Sequence, residues 1–136
     1  MRLYYSIEDI ALAAIKTLLI ENALTLHRTG RLVRVLRWSR LGEVVEELSR
    51  KHGTDVNIFS VLTLCGRILS KYSKPVKRSR PHSFYVTTAL LHHLFNIRWE
   101  DVRDKPLHQL DPVELYYTVL LPYEWGGWYE DEDTAE

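Results

Sequence analysis

The sequence predicts a mainly α fold of the α+β class. Apolar residues recur at helical spacing in four separate stretches, and two short runs rich in Val, Leu and aromatic residues are bounded by turn residues. With 46% of its 136 residues hydrophobic, the chain has enough apolar material for one ordinary core.

The elements follow in order. Ser6 with Asp9 three residues on is an N-cap signal, and Ile7, Ile10, Ala11, Ala14, Ile15, Leu18 and Leu19 then trace one face of a helix over about residues 7–23. The period fails near Gly30, and Leu32–Trp38 reads as a short strand. Ser39 can cap a second helix whose Leu41, Val44, Val45 and Leu48 fall at i, i+3, i+4, i+7, with Gly53 as its stop. After the polar turn HGTDVN, Asn57 or Asp55 can cap a third helix. Its apolar face is Ile58, Val61, Leu62, Cys65, Ile68, Leu69 and Tyr72, and Pro75 ends it. Phe84–Thr87 reads as another strand, and Thr88 as the cap of a fourth helix with Leu90, Leu91, Leu94 and Phe95 inside. Asp111-Pro112-Val113-Glu114 is the strongest helix start in the chain. The helix it opens, about 112–121, is apolar on nearly all sides, so it is either buried or meets a partner.

Eighteen Lys and Arg balance eighteen Asp and Glu, but the balance is a cancellation. Residues 27–80 carry thirteen cations against four carboxylates, whereas residues 99–136 carry two against eleven. Such asymmetry points to contact with nucleic acid or a membrane surface, plus an acidic tail. The third helix shows where the cations act. Opposite its apolar face lies a hydrophilic, increasingly basic stripe of Ser60, Thr63, Arg67, Lys71 and Lys74. A helix held in the major groove needs these two faces, one apolar and one of polar side chains that reach base edges and phosphates.

The order helix, strand, helix, turn, helix, strand, basic loop, strand over residues 6–88 resembles the winged helix-turn-helix superfamily of DNA-binding domains. That resemblance implies a winged-helix domain over residues 1–98, a recognition helix over about 57–74 and a basic wing over about 76–82. Asn57, Ser60, Thr63 and Arg67 are then candidates for base edges, and Lys71 and Lys74 for phosphate. Lys77, Arg78 and Arg80 in the wing suit backbone or minor-groove contact. Residues 99–129 form a C-terminal extension with an interaction helix, and residues 130–136 an acidic tail. The expected partners are double-stranded DNA and a second copy of the chain, paired through the first helix, the 112–121 helix or both. Trp125 and Trp128 are expected to dock within the same molecule or dimer. The acidic end could mask the basic face in cis.

Arg28, Arg31, Arg34, Arg37 and Arg40 recur every third residue and form a secondary basic series. On a helix they would make a stripe; on a strand they alternate faces. Gly30 and the Val33/Val35 pair favour the strand. The competing readings are a solvated helix face without function, and a protein-interaction module that docks through the 112–121 helix.

An enzyme is not expected. None of the six histidines pairs with another at i, i+4, adjacent His92 and His93 point about 100° apart on a helix, and no Gly-rich phosphate loop is present. Glu100, Asp101, Asp104 and Lys105 could be bent into a nuclease-like metal site, but acids on a connector are common. Cys65 on an apolar face reads as a buried small hydrophobe, and one cysteine excludes an internal disulfide. No metal or cofactor is expected. The longest charge-free stretch, Pro81–Ile97, is broken by three histidines and is shorter than the ~20 residues of a spanning helix. No membrane segment or secretory signal is read, so a cytoplasmic protein is expected. Few Asn, Gln, Cys and Met, with Arg twice as frequent as Lys, fit a thermophilic source.

Overall fold

A computed structural model describes residues 6–51, 56–76 and 83–125. These residues form a mainly helical fold with a small antiparallel sheet.

Helix α1 (Ile7–Thr29) opens with a capping box. Ser6 Oγ accepts from Asp9 N–H at 3.1 Å, and Asp9 Oδ2 accepts from Ser6 N–H at 3.0 Å. It runs two turns beyond the predicted residue 23, because Ala23 and Leu26 continue the buried face. Gly30, at φ 74°, then supplies the left-handed stop and its N–H caps Leu26 O at 2.8 Å. By length and composition α1 is apolar enough to cross a membrane, which the search for charge-free stretches passed over. Its face of Ile10, Ala14, Ile15, Leu18, Leu19 and Ala23 is buried, and α1 packs against three other helices of the chain.

The expected strand after Gly30 exists but is only β1 (Val35–Arg37), because helix α2 (Trp38–Lys51) begins at Trp38 rather than after Ser39. The stretch 24–40 is therefore both things in turn: helix to Thr29, strand at Val35–Arg37, helix again from Trp38. Helix α2 buries Leu41, Val44 and Val45 and exposes Glu43, Glu46 and Glu47. The proposed stop at Gly53 lies outside the described residues.

Helix α3 (Ile58–Tyr72) is capped by Asn57 as expected; its Oδ1 accepts from the N–H of Phe59 at 2.9 Å and of Ser60 at 3.3 Å. It ends at Ser73, ahead of Pro75, where Ser73 N–H and Oγ–H both donate to Leu69 O, at 2.8 and 2.6 Å. Pro75 belongs instead to β2 (Lys74–Pro75). Strand β3 (Ser83–Tyr85) lies between β1 and β2, antiparallel to both, with Leu36 opposite Phe84 on one side and Pro75 opposite Phe84 on the other.

Helix α4 (Thr88–Phe95) is capped by Thr87, not Thr88. Thr87 has extended backbone and its Oγ1 receives Leu90 N–H at 3.3 Å, so it stands one position outside the first helical residue. The same hydroxyl donates to Tyr72 O, tying the start of α4 to the end of α3. A short helix α5 (Trp99–Val102) and a 3-10 turn at Leu107–Gln109 lead to α6 (Pro112–Trp125). Its start is the predicted capping box: Asp111 Oδ1 accepts from Glu114 N–H at 2.8 Å, and Glu114 Oε1 from Asp111 N–H at 3.1 Å.

Of the two fates left open for the apolar 112–121 helix, the structure shows burial. Tyr116, Tyr117, Leu120 and Leu121 are all at most 7% exposed, and α6 packs on α1 more extensively than any other pair of elements. The buried sides of α1 and α6 thus cover each other within one chain, while Ile20 and Leu24 of α1 and Tyr123 of α6 stay exposed.

Tyr116 is the pin of that packing. Its Oη–H donates to Val33 O at 2.5 Å, while Asn22 Nδ2 donates to Tyr116 Oη and to Val35 O, each at 3.3 Å. Burial pushes the phenol above its ordinary pKa, so it stays a neutral donor. Tyr116→Phe keeps the ring and removes the bridge, leaving polar groups short of partners. A loss of about 1–3 kcal/mol is expected, seen as a lower urea midpoint with unchanged slope.

Candidate nucleic-acid interface

Helix α3 buries Val61, Cys65 and Leu69 against the core, which turns Phe59, Thr63, Arg67, Ser70 and Lys71 outward. Between Asp55 and Glu100 the chain has no carboxylate, so the cations of α3 and β2 stand without any acid of their own, and β3 and α4 add none. Counting charge in blocks hid this 44-residue acid-free span, although it was present in the sequence.

A groove of about 600 Å³ runs beside the outward face of α3, lined by Trp38, Thr63, Gly66, Arg67, Ser70, Lys71 and Phe84. Its floor is aromatic: the Trp38 indole lies over Gly66, and its ring centroid is 6.2 Å from that of Phe84. Its wall is cationic, with Lys71 Nζ 5.4 Å from the Tyr72 ring centroid. Charged heads thus stand at the rim of an apolar surface.

The predicted contact residues divide. Ser60, Thr63, Arg67 and Lys71 share the outward side of α3, with Ser60 half-buried. Thr63 Oγ1 donates to Phe59 O at 2.9 Å and keeps its acceptor capacity. Asn57 is exposed, but its amide oxygen is committed to the helix cap. The bidentate contact an asparagine makes to adenine needs both ends of the amide, so only the NH2 end remains for a base. Lys74 is exposed in β2 rather than on the helix. Lys77, Arg78 and Arg80 of the wing lie outside the described residues, as do the acidic tail and Trp128; the side chain of Trp125 does too.

The secondary arginine series does not form one surface. Arg28 and Arg31 are exposed around Gly30, and Arg37 is exposed in β1 opposite Ser83. Arg34 is only 4% exposed, its guanidinium 4.2 Å from the Tyr123 ring centroid and 5.8 Å from that of Tyr85. Arg40 is bound by Glu21 at 2.6 Å and Glu43 at 3.0 Å, and the Glu21 hydrogen bond above all holds its charge more firmly still. Arg34 and Arg40 are thus structural cations, because the strand's alternation and the turn into α2 aim them at tyrosines and carboxylates.

Sequence reasoning missed Phe59, Ser70 and Trp38. Phe59 precedes Thr63 by four residues, which places it on the polar stripe by helical spacing alone. Trp38 could not be placed without knowing that α2 starts there.

Two other candidate centres have plain structural roles. His93 stacks on Tyr72 with centroids 4.0 Å apart, and His92 Nδ1 is 3.0 Å from Ile97 O. Among the described residues no three His, Cys, Asp or Glu side chains converge as a metal site would require. Cys65 is fully buried, and burial pushes its thiol up to about 12. Comparison with protein-family models, with curated proteins and with solved structures finds no match. The Cys65 environment has a direct check. At pH 8 the native protein should resist an aromatic disulfide reagent, whereas the urea-unfolded chain, with an ordinary thiol, should react stoichiometrically within minutes.

Proposed function

We propose that the chain binds double-stranded DNA on a winged-helix arrangement, with α3 in the major groove and the β2–β3 hairpin beside it, as a transcriptional regulator or a chromatin-type protein. The single observation that carries this is the outward face of α3. Phe59 apart, it is polar and basic, acid-free along its whole length, and fixed at its N-terminus by the Asn57 cap. Support comes from the element order helix, strand, helix, helix, strand, strand with β3 central, which sets a hairpin next to the C-terminal end of α3. Of the three residues on which the rival interaction module rests, Tyr116 and Leu120 are fully buried and Leu115 is half-buried, which favours the DNA-binding reading.

Affinity for a duplex should fall about tenfold or more for a twofold rise in salt if four to six phosphates are contacted. Arg67→Glu with Lys71→Glu, both on exposed positions, should abolish binding without lowering thermal stability. Binding that ignores salt, or survives the double reversal, would remove α3 as the interface.

The acidic end acts in this scheme as a competitor for the basic face. Residues Glu130–Glu136 hold five carboxylates. Ending the chain at Tyr129 should tighten duplex binding at low salt and leave it unchanged at high salt, where such attraction is screened.

A further inference from the structure

Among the described residues Phe59 is the most exposed large hydrophobic side chain, at 76%. An exposed apolar residue is ordinary on a protein surface. What sets Phe59 apart is where it stands. It is the second residue of α3, its backbone N–H is held by Asn57 Oδ1, and its carbonyl receives Thr63 Oγ1–H. Its ring is therefore carried on a turn held by both side-chain bonds, at the end of the helix that enters a major groove first.

We propose that Phe59 reads base identity at the first turn of α3, packing its ring on the 5-methyl group of a thymine. This rests on the DNA-binding role of α3. The chemistry follows from what the groove edge offers. Thymine alone presents a methyl group there, and a phenyl ring carries neither donor nor acceptor, so it discriminates by apolar contact. The polar groups around it are poor discriminators. Asn57 has only its NH2 end left, Thr63 and Ser60 pair with any base, Lys71 suits phosphate, and Arg67, suited to a guanine edge, stands two turns further along the helix. Phe59 is the one group on this turn with a strong preference and no competing bond.

The test uses the full chain and a randomised duplex library. Duplexes enriched by the natural protein should carry thymine at a fixed position. Replacing that thymine by deoxyuridine, which deletes only the methyl, should weaken binding about fourfold, the factor for burying one such group. Phe59→Ala, harmless to the core at so exposed a site, should bind thymine and deoxyuridine duplexes equally with its salt dependence unchanged. Phe59→Leu should retain part of the discrimination. If the natural protein treats the two bases alike, or Phe59→Ala keeps the natural sensitivity, the assignment of Phe59 is overturned while DNA binding stands. If neither protein retains any duplex, both fall together.

Discussion

The fold depends on one contact, the packing of α6 on α1 around the Tyr116 hydroxyl. Helix α1 is the central post, with α2, α3 and α6 all leaning on it. The tyrosine and Asn22 then reach past the helices to the carbonyls of Val33 and Val35, so the segment leading into β1 is located by side chains from both ends of the chain. Strand β1 in turn fixes β3 by register and delivers Trp38 to the floor of the groove beside α3. The surface that carries the proposed function is thus set by a hydrogen-bonded bridge on the far side of the core.

Electrostatics is sorted by the same geometry. Cations near the core are consumed by tyrosine rings and glutamates, as Arg34 and Arg40 show. Those on α3 face outward from a stretch of chain that contains no carboxylate, so no acid of their own element neutralises them. Helix α2 instead exposes both signs, Glu43, Glu46 and Glu47 beside Arg50 and Lys51.

Local signals in the sequence located the elements well. Ser6, Asn57 and the Asp111–Glu114 box mark helix starts that the structure reproduces, since a cap is made by residues three apart and needs nothing distant. Errors arose where a neighbour decides. Thr87 and Thr88 are equivalent in sequence, and extended backbone with a bond to Tyr72 O selects Thr87. The regular spacing of the arginines was legible, but their fate was not, because it hangs on Tyr123, Tyr85, Glu21 and Glu43 brought in by other elements. The polar stripe of α3 was legible from helical period alone, whereas Phe59, which lies outside the apolar face, stands out only by its exposure in the fold.

The α1–α6 contact also has a consequence in time. Val33 and Tyr116 are 83 residues apart, so during synthesis at roughly 5–20 residues per second α1 waits roughly 4–17 s for its last covering helix. Throughout that interval the nascent chain displays a 23-residue helix apolar enough to be mistaken for a membrane span. The face of α1 that α6 covers in the finished fold thus lacks that cover until the last fifth of the chain is made.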